Sequence, residues 1–380
     1  MNKKVAIIIS PNYKDYAEKY LAECVESIKK QTYAGQMKIF ITDNESTEAS
    51  YGYLKKILNI EIKEMDCGSE PAMTNNCEII KNKNNDGFAK GNNDAIKKAL
   101  KQGFEYIILF NMDTIIESAC VKKMIEASEI SNFQFLISNK IQNFSIGAVQ
   151  ARLMLHSDKN KINSLGNVTH FLGFGYSKGY NEKMTNGKFP MTNEICYPSG
   201  AAVLFKAEIL KKVGLFDEDF WMYNEDQDLG WRIWLAGFVC VLAEEAVVYH
   251  KYQFNRSVKK YYFMDRNRII AMLKNYHWAT LILIAPAFMV MEIGLIFFAA
   301  RGGWFREKIK VYKYFLSLKN CRYIIEARRQ AQSLRQVKDK EIIKLFSGKI
   351  WYQEIGGTKL KIANVIFSIY WKVIKVLIVW

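Results

Sequence analysis

Through the first 250 residues, short aliphatic and β-branched runs alternate with amphipathic stretches, and that alternation restricts the chain to a sheet flanked by helices. Val5 to Ser10 has the length and composition of a buried strand, and Tyr20, Leu21, Cys24, Val25 and Ile28 recur behind it at helical spacing. Met37 to Thr42 repeats the strand signal, Ile79 and Ile80 repeat it weakly, Phe88 to Leu100 reads as a helix, and Tyr106 to Phe110 as a strong buried strand. This order predicts an α/β domain with a mixed, mostly parallel sheet, whose ligands lie beyond the carboxyl ends of the strands. Polar clusters follow Thr42 and Phe110 at such ends.

Glycine-rich turns near Gly166, Gly173, Gly175 and Gly179 interrupt the pattern. Order then returns, with a strand expected over Ser199 to Phe205, a short helix from Ala207 to Val213 ended by Gly214, and a helix from Glu225 to Ala236 ended by Gly237. Phe238 to Leu242 and Val247 to Tyr249 read as two closing strands. Without an internal repeat or low-complexity linker, residues 1–250 read as one domain.

The formal charge of +16 invites a nucleic-acid partner, but its distribution argues otherwise. Residues 1–250 hold 29 basic against 31 acidic side chains, whereas residues 251–380 hold 25 against 7. That basic third also carries the two most apolar stretches. Trp278 to Ala300 is apolar except for Glu292 and is interrupted by Pro286, which is long enough to span a bilayer. In 362–380 the polar residues Asn364, Ser368, Lys372 and Lys375 form one helical stripe, the pattern of an interfacial helix. Basic residues flanking apolar helices point to an anionic membrane surface rather than nucleic acid. Were both stretches to span, the connection 301–361, with 16 basic and 5 acidic residues, would lie outside, against the positive-inside tendency. In-plane or re-entrant helices are therefore expected.

Seven scattered cysteines, with no CxxC pair, suggest neither a disulfide framework nor a zinc site. The run Val5 to Ile9 is too short for a signal peptide, so the N-terminal domain is expected on the cytoplasmic side of the membrane.

Four clusters carry candidate chemistry. Asn111-Met112-Asp113-Thr114 places a carboxylate just past a strand, where a hard divalent cation such as manganese or magnesium can take oxygen ligands from protein and substrate phosphates. Asn224-Glu225-Asp226-Gln227-Asp228 places three carboxylates at a helix start. Capping explains such a cluster, with Asn224 as N-cap, but crowded carboxylates with raised proton affinity also suit a general base. His250, at the end of the last strand, is either structural or a metal ligand. In Asn85 to Asn93, glycines allow close approach to a ligand and asparagines can bond a ribose or base.

Taken in order and spacing, these segments resemble family 2 of the inverting glycosyltransferases, particularly its rhamnosyltransferase-like members, over about residues 4–275. The resemblance rests on Ile41 to Thr47, Asn85 to Asn93, Phe110 to Thr114, Ser199 to Ala201, Val213 to Phe220 and Tyr223 to Arg232. It implies a GT-A fold over 1–250, a nucleotide-sugar donor, either a UDP-sugar or dTDP-rhamnose, and a divalent metal. The basic, helical region over 251–380, read as membrane-associated from its own charge and apolar stretches, points to a lipid-linked glycan or polysaccharide acceptor. On that likeness Asp43 contacts the base, and Pro11, Asn85, Gly87, Phe88, Gly91, Asn92 and Asn111 line the nucleotide-sugar pocket. Asp113 and His250 hold the metal, and Asp226 with Glu225 supplies the catalytic carboxylate. Ser199, Gly200, Ala201, Asp228, Trp231 and Arg232 fall near the sugars. The family's metal motif usually has aspartate at both ends, and here Asn111 takes the first place. Two other readings are a nucleotidyltransferase, for which Ser10 to Lys14 lacks a glycine-rich basic phosphate loop, and a catalytically inactive scaffold of a polysaccharide assembly complex.

Overall fold

The computed structural model describes residues 3–59, 76–130, 133–137, 140–184, 194–252, 258–350 and 358–380. Nine strands build the main sheet: β1 (Val5–Lys14), β2 (Met37–Ser46), β3 (Cys77–Asn82), β4 (Tyr106–Phe110), β5 (Thr114–Ile116), β6 (Ile146–Leu155), β7 (Ile162–Ser164), β8 (Ala202–Lys206) and β9 (Val239–His250). Their spatial order is β3-β2-β1-β4-β8-β6-β9-β5, with β7 beside β6. The four strands from β3 to β4 are parallel. β8 then runs antiparallel to both β4 and β6, β9 is parallel to β6, and β5 is antiparallel to β9.

Continuous apolar strands suit this position, because a parallel sheet with covered faces buries both sides of each strand. Val5 to Ile9 and Tyr106 to Phe110 are all at most 1% exposed. The covering helices are α1 (Tyr16–Lys29), α2 (Glu48–Ile57), α3 (Gly87–Lys101), α4 (Cys120–Ser128), α5 (Ala207–Val213) and α6 (Glu225–Leu235).

Several local expectations are corrected. The segment Ser199 to Ala201 is a turn rather than strand, because Ser199 N–H is bonded to Gln150 Oε1 and Ala202 N–H turns back to Ser199 O. The two closing strands are one, β9, with a register shift between Ala243 and Val247. Asn224 is no ordinary N-cap: it is left-handed, with φ 63°, and its side chain donates to Gln227 Oε1 instead of accepting from the helix.

Beyond His250 the chain becomes helical, with α7 (Val258–Asn275), α8 (Trp278–Arg301), α9 (Phe305–Leu316), α10 (Leu318–Ser333), α11 (Asp339–Ile342) and α12 (Thr358–Leu377). The connection expected over 301–361 is thus itself largely helical. α8 is long and apolar enough to cross a membrane by length and composition. Its single acid, Glu292, is nevertheless buried and held by Arg268, by Lys308 Nζ at 2.6 Å and by Tyr312 Oη at 2.9 Å, while Lys308 also bonds Asp265 at 2.7 Å. Removing one partner of such a buried network costs about 3–5 kcal/mol, so α8 is fastened to α7 and α9 along that face.

The polar stripe of α12 points the other way from expectation. Asn364 exchanges two hydrogen bonds with the backbone of Ile350, and Ser368 and Lys375 are half-buried, while Ile362, Val365, Ile366, Ile369, Val373 and Val376 are exposed. Only Lys372 of the stripe faces outward. Of the seven cysteines, six are free thiols and Cys67 lies outside the described residues.

Candidate active site

β1, β2 and β4 end together, and their exits are tied to one another by side chains. Ser10 Oγ accepts from Met112 N–H at 2.9 Å, fixing the turn that carries Asp113. Asn12 Nδ2 donates to Asp43 Oδ1 at 2.9 Å, and Ser46 Oγ donates to the same oxygen, so Asp43 sits buried and oriented at the end of β2.

Thr42 and Asn44 reach across to α3, donating to the carbonyls of Gly91 (2.7 Å) and Gly87 (2.9 Å). This closeness is what the glycines serve. A Cβ on Gly91 would stand 2.4 Å from Pro11 Cγ, and one on Gly87, where φ is +81°, would stand 2.6 Å from the Trp221 ring. On the side where a Cβ would stand, each glycine is therefore packed against protein. Asn85 Oδ1 accepts from Gly87 N–H and so starts α3, and Asn92 donates to Phe88 O while its own Oδ1 is buried with no hydrogen-bond partner among the described residues.

β4 leads into the second cluster through β8. Asn111 N–H donates to Ala201 O at 2.9 Å, and next to Ala201 the Gly200 N–H donates to Asp226 Oδ2 at 3.3 Å. Phe88 covers Gly200 from the α3 side. On the other flank, His250 pairs with Thr114 across the β9–β5 ladder, and Lys251 N–H donates to Asp113 O. The backbone thus brings Asn111, Asp113, Ser199 to Ala201, Asp226 and His250 to one edge of the sheet.

His250 Nε2 lies 3.2 Å from Asp113 Oδ1, and its Nδ1 lies 2.9 Å from Asn163 Oδ1 on β7. Nδ1 thus faces the amide oxygen of Asn163, and Nε2 is the nitrogen turned to the carboxylate. Asp113 Oδ1 and Asn111 Oδ1 are both buried without a hydrogen-bond partner among the described residues. Burial raises the Asp113 proton affinity, but His250 and the Tyr16 hydroxyl outweigh it and hold the carboxyl below the usual range. Among the described residues no three His, Cys, Asp or Glu side chains gather. A carboxylate, an imidazole and an amide oxygen nonetheless fit manganese or magnesium, which keep coordination places for water and phosphate.

Asp226 occupies the first turn of α6, half-buried. Burial pushes its carboxyl up to about 6, although Gly200 and Gln227 N–H groups bonded to it act in the other direction. Glu225 beside it is buried, with Oε2 lacking a hydrogen-bond partner among the described residues. Desolvation and the Asp226 charge push it well above the carboxylate range. Neighbouring carboxyls with such different surroundings divide into a neutral acid and an ionisable base, and here Asp226 is the ionisable one.

Three sugar-site candidates face inward instead. Asp228 is fully buried and taken by Arg232 (2.9 Å), Lys274 (3.0 Å) and Asn275 (2.9 Å), and Arg232 also caps the carbonyls of Val213 and Leu215. Trp231 is 3% exposed and packs edge-on against Tyr276 and Phe346. These residues hold α6 to the helices beyond the sheet.

The turn into α6 is strained. Trp221, Tyr223 and Asn224 have φ of 60°, 68° and 63°, conformations costing about 1–3 kcal/mol each for non-glycine residues. Asn267 on α7, fully buried, holds this turn by donating to the carbonyls of Phe220 (2.9 Å), Met222 (2.9 Å) and Tyr223 (2.7 Å). Neither Asn267 nor Asn163 is marked in the sequence, since a lone asparagine has no local signature. Asn267→Leu is expected to lower turnover on the order of 10²-fold through misplacement of Asp226. Steady-state kinetics on folded variant checks this, and unchanged turnover would mean the turn holds itself.

The Glycosyl transferase family 2 model matches residues 7–214, which run from within β1 to beyond β8 and contain every candidate residue before α6. No curated protein matches the sequence. Among solved structures, a fragment of S. aureus TarS in complex with UDP is similar at 16% identity and a TM-score of 0.46, over 98% of this chain and 90% of that one. The mannosyltransferase PcManGT from Pyrobaculum calidifontis, solved with GDP-Man and Mn2+, is similar at 11% identity and a TM-score of 0.45, over 96% and 86%. With more than half of its length matched by the family model, and its strand exits arranged around Asp113, the chain belongs to glycosyl transferase family 2.

Proposed function

We propose that the chain transfers a sugar from a nucleotide-diphosphate donor, a UDP-sugar or dTDP-rhamnose, to a hydroxyl of a lipid-linked glycan or polysaccharide, with inversion at the anomeric carbon. The observation that carries this reading is the joining of two carboxylates of opposite character at one sheet edge. Asp113 is held low beside His250, and Asp226 is raised to about 6 and bonded to Gly200, next to the Ala201 carbonyl that accepts from Asn111 N–H.

In this reading Asp113, His250 and the Asn111 amide oxygen hold a divalent cation, which when bound supplies positive charge for the donor diphosphate. Asn163 fixes the His250 ring so that Nε2 is the ligating nitrogen. Asp43, oriented by Asn12 and Ser46, is placed for the base, and Phe88 with Gly200 borders the sugar. Asp226 accepts the proton of the acceptor hydroxyl as that oxygen bonds to the anomeric carbon. The bond from this carbon to the diphosphate oxygen breaks with its electron pair leaving on the diphosphate. Glu225, neutral beside it, leaves Asp226 to carry the negative charge of the pair. The site works at a membrane surface on the cytoplasmic side, consistent with an acceptor carried on lipid.

Incubation with a panel of nucleotide-sugars, manganese and glycan acceptors tests the proposal. Release of nucleoside diphosphate from one donor is expected, and no release across the panel supports the inactive scaffold instead.

A further inference from the structure

The outer faces of α8 and α12 are apolar and uncovered. On α8 the residues turned inward are Thr280, Ile284, Ala287, Glu292 and Ala299, and those turned outward include Trp278, Ile282, Met289, Val290, Ile293 and Phe297, with Ile282 71% and Phe297 68% exposed. α12 repeats this with Ile362, Val365, Ile366, Ile369, Val373 and Val376 outward. The two helices pack on each other, through Tyr370 Oη donating to Leu283 O and Trp380 Nε1 donating to Thr280 Oγ1. Two adjoining apolar faces of this size are not left to water in a stable monomer.

We infer that α8 and α12 together form an in-plane docking face for an anionic phospholipid bilayer. Charge selects this occupant. Arg301 and Arg306 at the end of α8 and start of α9, with Lys361 and Lys372 on α12, stand exposed with no ion pair among the described residues. They belong to a region with 25 basic and 7 acidic side chains. A second copy on the same face would set these cations against their own equivalents, whereas anionic headgroups neutralise them.

The inner face excludes a span. Glu292 lies within α8 and is bonded to Arg268, Lys308 and Tyr312, and Arg268 is in turn bonded to Asp265. Arg268 shares α7 with Asn267, which grips the turn before α6. Drawing α8 through a bilayer would strip these charges of their partners or pull the catalytic helix with it. The helix therefore lies flat, with its exposed apolar side in the acyl boundary and the side that carries Thr280, Ile284 and Glu292 held in the protein.

The inference rests on the transferase reading only for its purpose, and its test contains neither donor nor acceptor. Full-length protein is sedimented with vesicles of phosphatidylcholine alone or with phosphatidylglycerol added. Binding is expected to require the anionic lipid, to fall with salt, and to drop on the order of 100-fold in Ile282→Glu/Phe297→Glu and in Ile366→Glu/Val373→Glu, whose altered side chains are all exposed in the fold. Alkaline carbonate should release the bound protein. Retention after carbonate would establish a span, and vesicle binding unchanged by both pairs, or a salt-stable dimer that these pairs dissociate, would each overturn the inference.

Discussion

Asp226→Asn is expected to lower transfer by about 10²- to 10⁴-fold, the range for loss of a positioned proton acceptor, while donor affinity changes little. Gly200 and Gln227 N–H bond different oxygens of Asp226, so the asparagine keeps an acceptor for only one of them, and it cannot take a proton. The wild-type enzyme carries a second mark of the same role. A base whose carboxyl is raised to about 6 is protonated below that pH and active above it, so kcat/KM falls on acidification through about 6, well above the point at which an ordinary aspartate protonates. Kinetics of the variant and the pH profile of the parent check both statements. Retained turnover in Asp226→Asn would remove the residue from the chemistry.

Asp113→Ala should act on binding first. Changing a group behind a metal ligand typically costs 10- to 100-fold in affinity, so losing the ligand itself is expected to weaken manganese binding by more than about 100-fold and donor binding with it. Calorimetry of donor binding with and without manganese reads this directly. The expected result is a large manganese effect in the parent and none in the variant. Equal donor affinities in all four measurements would contradict the cation role of Asp113 and His250.

Much of the sheet is legible in the sequence, because buried parallel strands are written as unbroken apolar runs. Tyr106 to Phe110 and Ala207 to Val213 match the expected boundaries, and Asp113 lies 3.2 Å from His250 at the edge where strand ends predict a ligand, with Asp226 tied to the neighbouring turn through Gly200. What was hidden depends on partners distant in sequence. α7 carries Lys260, Asp265, Arg266, Arg268 and Lys274 at buried positions, which no hydrophobic period reveals: Asp265 and Arg268 are compensated by Lys308 and Glu292, Lys274 by Asp217 and Asp228, and Arg266 is bonded to the carbonyls of Asp219 and Phe220. Asp228, Trp231 and Arg232 looked like site residues by motif, but pairing with Lys274 and packing on Tyr276 take them inside. For α12 the helical period showed a polar stripe correctly and could not say which side the protein would cover.

In the proposed mechanism one displacement joins acceptor oxygen to anomeric carbon, with Asp226 taking the proton. The most direct measurement is the anomeric configuration of the transferred sugar, read from proton couplings of the product against those of the donor. Inversion is the predicted result, and a product that retains the donor's configuration would contradict it.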